Sequence, residues 1–443
     1  MRLGLKILMV AVLTVVIMVP LTMIRGTIHE RQQYRQEAVE SISRSFAGAQ
    51  RIAGPALVVP YTETIEVEER NARGEVIRKL KRDGEQGIWT FFPETQDLRG
   101  RLLPSTRRRG LHEVRVYELR GVLAARFSAR IPADADPALP RRIGRPWLSY
   151  GIADVRGLAG SPVLRIDGRE AALQQGMGSR ERPGVHVTLA PPRAGSELRL
   201  DSRLEFNLGG TESLSVSPLA KRNRIVLDSS WKHPQFNGDF LPRSRRIDGN
   251  GFHAEWEVSS LASNAQAQYL GNTEPDAIGV SLVDPVNVYS QADRASKYGL
   301  LFVALTFVGF FMLELVRQLR IHPIQYGLVG LALAIFFLLL LGLSEHIAFG
   351  WAYLAAGTAC IGLLGFYLSH VLRSRARGLA FATMLATLYA ALYGLLVSED
   401  NALVLGAGLL FLVLAVIMVV TRRVDWYAIA GSRPPAPSAP GQP

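Results

Sequence analysis

The chain has 443 residues, 48% of them hydrophobic, with 50 Lys and Arg against 38 Asp and Glu, a formal charge of +12 and one cysteine. A single cysteine excludes a disulfide-held fold. A modest basic excess without interleaved aromatic residues gives no ground for nucleic-acid binding.

The apolar residues are gathered in six stretches: Ile7–Ile24, Tyr298–Val316, Ile324–Leu343, Ile347–Leu368, Leu379–Val397 and Ala402–Val420. Each is near the ~20 residues that cross hydrocarbon as a helix. Residues 1–24 form a basic start and a first span. No small-x-small site follows it, Pro20 to Arg25 reading PLTMIR, so a retained anchor is predicted and not a cleaved signal. Residues 28–50 place Tyr34, Ala38, Val39, Ile42 and Phe46 at three- and four-residue spacing, the pattern of an amphipathic helix that continues out of the membrane.

Residues 25–297 form one large domain whose dominant period is two. Leu198, Leu200, Leu204, Phe206 and Leu208 alternate with charged and polar residues, as do Leu119 to Ile131 and Phe252 to Val258. Gly- and Pro-rich gaps at 132–146 and 176–195 punctuate the pattern, and an antiparallel sheet, a sandwich or a pair of β-rich lobes is predicted. Residues 298–427 hold the other five spans. Residues 428–443, ending PPAPSAPGQP, are predicted to be a disordered tail. The expected fold class is an α+β membrane protein: six transmembrane helices, one N-terminal and five C-terminal, with the β-rich domain inserted between helices one and two.

Connector charge sets the orientation, since Lys and Arg near a span stay on the cytoplasmic side. Arg2 and Lys6, Arg317 and Arg320, Arg373, Arg375 and Arg377, and Arg422 and Arg423 occupy alternate connectors, whereas Ser344-Glu345-His346 and Ser398 to Asn401 hold no Lys or Arg. Both termini are predicted inside and residues 25–297 outside. Ten basic residues against five acids lie outside that domain, which leaves +7 of the +12 within it. This mild excess suits an anionic lipid or envelope polymer, although an ordinary solvated surface is the preferred account of it.

No HExxH, GxxxxGK[ST], GxSxG or paired CxxC occurs, and none of the eight histidines stands at ligand spacing from another. No cofactor and no metal are expected. No span carries a charge at its centre, where one would cost roughly 2.5–3.5 kcal/mol. Proton-coupled transport and intramembrane proteolysis are thereby disfavoured, although a pore lined by hydroxyls such as Thr358 and Thr387 stays open. Glu314 is expected to snorkel beside Arg317, Cys360 to be a packing residue, and Ala382, Ala386, Ala390 and Gly394 to admit a neighbouring helix closely.

The stretches SWKHPQFNGDFLP, GFHAEWEVSS, VNVYSQADRASKYGLLFVALTF, HPIQYGLVGLALAIFFLLLLGLSEH and TRRVDWYA, in that order, resemble the CreD family of bacterial inner-membrane proteins associated with cell-envelope integrity. The resemblance covers all but the Pro-rich tail. It implies a Gram-negative inner-membrane protein whose residues 25–297 are periplasmic. It also implies regulation in some species by a sensor kinase and response regulator, with links to envelope stress, colicin tolerance and β-lactam susceptibility. No catalytic residue comes with it. It marks Trp231, His233, Pro234, Phe236, His322, Pro323, Gln325, Tyr326, Glu345 and His346 as motif positions without an assigned role. His233, beside a proline and between aromatic residues, reads as a turn residue. Pro323 suits the first turn of the third span. Tyr326, Trp426 and Tyr427 suit the inner headgroup level. The Ser344-Glu345-His346 corner is expected to brace the outer domain against the bundle.

The function these observations predict is maintenance of the cell envelope by binding or sensing, without catalysis. The expected partners are the lipid bilayer and an envelope component (anionic lipid, polysaccharide or peptidoglycan) or another membrane protein. A transporter or lipid-handling protein, with the outer domain gating or delivering a hydrophobic substrate, is the alternative, marked by a deep apolar groove continuous with the bundle. A periplasmic hydrolase would need Ser, His and an acid clustered in a cleft.

Overall fold

The computed structural model describes residues 3–70, 76–178, 182–282, 288–317, 321–398 and 402–422. The predicted tail, Trp426 and Tyr427, Arg423 and the Glu399-Asp400 corner lie outside the described residues. The chain divides into two compact units, Met1–Tyr34 with Val286–Pro443, and Arg35–Pro285.

In chain order the elements are α1 (Leu3–Ser45), β1 (Gln50–Arg70), β2 (Val76–Phe91), β3 (Thr95–Arg109), β4 (His112–Arg130), β5 (Arg142–Ile143), β6 (Trp147–Ile152), β7 (Leu158–Ile166) and β8 (Arg169–Ala171). There follow β9 (Gln174–Gln175), β10 (Gly184–Thr188), β11 (Glu197–Thr211), β12 (Ser213–Ser217), β13 (Arg222–Ser229), β14 (Pro234–Gly238), β15 (Ser244–Asp248), β16 (Gly251–Ser259), α2 (Ala265–Leu270) and β17 (Ile278–Leu282). The chain closes with α3 (Val288–Arg317), α4 (Pro323–Ser344), α5 (Phe349–Val371), α6 (Arg375–Val397) and α7 (Ala402–Thr421). Among the described residues, six helices are long and apolar enough to cross a membrane, α1 and α3 to α7. With the sheets between them, the chain is an α+β membrane protein.

Among the described residues the strands form two sheets. One has nine strands, with β14-β17-β12-β1-β6-β10-β9 as its spine, and the other has eight in the order β15-β16-β13-β3-β4-β11-β7-β8. Inward side chains of both fill one continuous core, so the sheets make a sandwich. Its centre is a row with one residue from each of six strands: Trp256, Ile225, Leu98, Leu123, Leu204 and Leu164. All six are buried, because residues i and i+2 of a strand share a face and a charged neighbour takes the other. β11 leads directly into β12, and the chain changes sheets at Glu212, held at φ 60°. Most pairs are antiparallel, but β1–β12 and β3–β13 are parallel.

The helix predicted over 28–50 is the continuation of α1, which ends at Ser45. Ala38 and Ile42 pack on Val114 and Val116. Tyr34, expected on the same stripe, is instead exposed and donates to Glu30 at 2.8 Å. The end of α1 is tied to the sandwich by polar contacts. The Asp154 carboxylate accepts from the Gly48 N–H at 3.0 Å and from the Arg156 guanidinium at 2.6 Å. Arg156 also donates to the Arg44 carbonyl at 2.7 Å, a cation on the last turn of a helix. The Gln50 amide donates to the carbonyls of Gly209 and Asp154. A Cβ at Gly157 would stand 2.2 Å from the Gly209 carbonyl and 2.6 Å from this amide, so only glycine fits.

In the helical unit, aromatic rings of α3 to α6 interlock. Phe302 and Phe336 each meet Tyr389 at 4.6 Å, and Phe310 meets Phe381 at 5.2 Å. Cys360 is buried, its thiol facing the Ala332 carbonyl at 3.5 Å. The small residues of α6 admit a neighbour at one end only. A Cβ at Gly365 would lie 3.2 Å from that of Ala382, whereas Ala386 and Ala390 are exposed and line an open groove. The Thr358 and Thr387 hydroxyls bond back to carbonyls of their own helices, which removes them as pore donors.

Candidate functional site

The outward face of the eight-stranded sheet carries a dense set of convergent charges. Strand alternation puts it there: on β3, Gln96 and Leu98 point inward, so Thr95, Asp97, Arg99 and Arg101 point out. Hydrogen-bonded register aligns those residues across the sheet. One row reads Glu257, Arg224, Asp97, Ala124, Arg203 and Arg165. These rows line a groove of about 1140 Å³ whose walls include Arg99, Arg126, Arg165, Arg203, Arg222, Arg224 and Arg243, against Asp97, Asp201 and Glu257. Val122 and Ala124 on β4 leave its floor low.

Most of these arginines hold a carboxylate at the surface. Arg224 reaches Glu255 at 2.6 Å, Arg243 reaches Glu257 at 2.9 Å, and Arg203 and Arg165 share Glu205 at 3.0 and 3.4 Å. Exposed pairs of this kind contribute about 0–1 kcal/mol each, so stability does not explain the lattice. A carboxylate or phosphate from outside can take the same guanidinium forks bidentately. Glu255 is the first cause of the raised Arg224 pKa, which keeps that side chain charged.

Farther along the same strands a second, polar cavity of about 350 Å³ is lined by Arg101, Asp228, Ser229, Ser230, Arg246 and His253 among others. His253 and Asp228 are cross-strand partners, with Nδ1 2.8 Å from Oδ1. Arg246 and Arg101 flank them on the next strands. The buried Ser229 hydroxyl accepts from the Trp231 N–H at 3.1 Å. Among the described residues, no three His, Cys, Asp or Glu side chains come together as a metal site.

The family model for "Inner membrane protein CreD" matches residues 2–427. The chain is also 34% identical to the inner membrane protein CreD of Escherichia coli (strain K12) over 421 residues, covering 94% of this chain and 91% of that one. The chain belongs to the CreD family. It is thus a multi-pass inner-membrane protein. Among solved structures, yeast LTA4 hydrolase in complex with bestatin aligns over 51% of this chain and 35% of that chain, with 8% identity and a TM-score of 0.17, which carries no argument.

The CreD motif residues do not converge on one site. Trp231 donates its indole N–H to the His233 carbonyl at 2.9 Å and lies under the Arg115 guanidinium at 4.9 Å. Pro234 opens β14, an edge strand of the nine-stranded sheet, where a missing N–H costs no ladder bond. Phe236 packs edge-on against Phe252 and Trp256 and so ties the two sheets. His322 caps α4: its Nδ1 accepts from the Ile324 N–H, Gln325 Oε1 accepts from the His322 N–H, and Pro323 takes the first helical position.

One expectation is corrected. Tyr326 is fully buried between Phe307 and Phe310, and its hydroxyl donates to Glu314 at 2.8 Å. Glu314 is itself buried and also accepts from the Ile321 N–H at 3.3 Å. It is not a snorkelling side chain, because these donors satisfy it inside the bundle; the Arg317 side chain lies outside the described residues. Glu345 meets Arg31 of α1 at 3.4 Å and the Tyr289 hydroxyl of α3 at 3.5 Å. It therefore joins helices within their own unit. His346 sits in the turn after α4.

Sequence reasoning missed both the arginine lattice and the Asp228–His253 pair. The arginines are spread over five strands and the bend before β15, and single alternation patterns do not reveal which rows align.

Proposed function

We propose that this protein maintains the cell envelope by holding an acidic envelope glycan on the arginine-lined face of its eight-stranded sheet, with residues 25–297 periplasmic and both termini cytoplasmic. Binding, and not catalysis, is the activity. The observation that carries this reading is the groove itself, where seven arginines stand against three lining acids and the neighbouring Glu205 and Glu255. Six strands, β16 to β7, cross it, which at roughly 4.8 Å per strand spans about 24 Å, long enough for several sugar units. The basic-inside pattern of the short connectors supports the orientation.

A photoreactive residue placed at Val122 or Ala124 in intact cells tests the proposal. The expected product is a crosslink to phosphate- or carboxylate-bearing glycan, lost in an Arg203→Glu, Arg224→Glu variant that still folds. Capture of phospholipid alone would assign the face to the membrane surface. No captured envelope material, or capture that ignores the charge reversals, would remove the proposal.

A further inference from the structure

Helices α5 and α6 form an antiparallel pair that is tight at one end and open at the other. Near their short connection, a Cβ at Gly378 would come 2.7 Å from Ser369, and one at Gly365 would come 3.2 Å from Ala382. Toward the Glu345 end the helices part around a groove of about 720 Å³, lined by Trp351, Leu354 and Ile361 of α5 and by Ala386, Ala390 and Tyr393 of α6. Its back is closed by Phe336 against Tyr353 and Tyr389. The Tyr353 hydroxyl is satisfied by the Tyr389 carbonyl, to which it donates at 2.8 Å. The mouth faces sideways, where Leu354 is 54% and Trp351 68% exposed.

Depth selects the occupant. From Ala348 to Ile361, the lining residues of α5 cover about 20 Å at 1.5 Å per residue, and one leaflet supplies roughly 15 Å of a ~30 Å hydrocarbon core. The groove therefore reaches somewhat deeper than one leaflet and ends where Gly365 closes on Ala382. A helix from another protein would have to cross both leaflets and would run into the closed Gly365–Ala382 end. A hydrocarbon chain entering from the leaflet at the Glu345 end meets no such obstacle. Trp351 and Tyr393, apolar rings with one polar edge, stand where its ester and headgroup would lie.

We propose that this groove is a lipid site holding one acyl chain of a phospholipid from the leaflet at the Glu345 end. The proposal goes beyond the glycan reading and does not depend on which way the protein faces.

The test uses the full chain in vesicles of phosphatidylethanolamine and phosphatidylglycerol doped with phospholipid carrying a diazirine at a chosen chain carbon. A diazirine near the ester is expected to label Trp351 and Tyr393, and one near the methyl end to label Ile361 and Ala386, both well above labelling at Leu339, a lipid-facing residue of α4 that is 43% exposed. Filling the groove with Ala390→Phe is expected to lower groove labelling about tenfold or more while leaving Leu339 unchanged. Labelling no stronger than at Leu339 would mean bulk lipid only and would overturn the site. So would a reversed depth order, or protein-to-protein crosslinks through the groove. If Ala390→Phe does not fold, the depth order in the unaltered protein decides.

Discussion

Asp154 is where the end of α1, β1 and β11 are held together, and its chemistry predicts how the joint responds to acid. The Arg156 guanidinium, helped by the Gly48 and Arg156 N–H groups, holds its carboxyl at about 2 against an ordinary 3.8. A depressed carboxylate stabilises the folded state above its unfolded value, and that contribution is lost as pH falls through the folded one. Melting of the full-length protein should therefore show an acid-dependent loss between about pH 4 and pH 2 that Asp154→Asn diminishes. An unchanged acid profile in the variant would mean that Asp154 plays no part in it. Tyr326 offers a second residue-scale expectation. Tyr326→Phe keeps the ring between Phe307 and Phe310 but removes a donor from buried Glu314, at a cost of about 1–3 kcal/mol, measurable as a lower midpoint of unfolding in detergent.

At the scale of elements, the two faces of the eight-stranded sheet should respond differently to truncation. Leu123→Ala removes a buried side chain from the six-strand row and should cost about 2–5 kcal/mol. Arg99→Ala, on the adjacent outward row of β3, should stay within about 0.5 kcal/mol. Equal effects in a denaturant titration would contradict the assigned faces. This alternation made β4, β11 and β16 legible in the sequence, along with the six apolar helices. β1 was not legible, because Pro55 and Pro60 interrupt it. The structure accommodates Pro55 where the β1–β6 register shifts between Ala53 and Ala56. β10 was hidden in a segment read as a Gly-rich gap. The capping box of α4 was only partly legible: Pro323 signals a helix start, but histidine is an uncommon cap and only geometry shows its Nδ1 accepting.

For the whole molecule, the proposed orientation predicts that alkaline phosphatase fused near residue 200 is active and that a fluorescent protein at the same place is dark; the opposite pair of results would put the sheets in the cytosol. Glycan binding through the arginine face should weaken steeply with added salt, since exposed charges are screened over about 10 Å at 0.1 M. The candidate site was scarcely legible, because its charges come from strands far apart in the chain, whereas the membrane half was legible as six uninterrupted apolar runs. The non-local pairing of the sandwich bears on how the protein is made. Gln50 pairs with Leu214, Thr95 with Arg222, and β17, last of the strands, lies between β14 and β12. During synthesis the early strands must wait, edges open, until nearly the whole domain has emerged. A chain arrested before Leu282 would expose unpaired strands to its neighbours, and a holding chaperone is the natural escort for that interval.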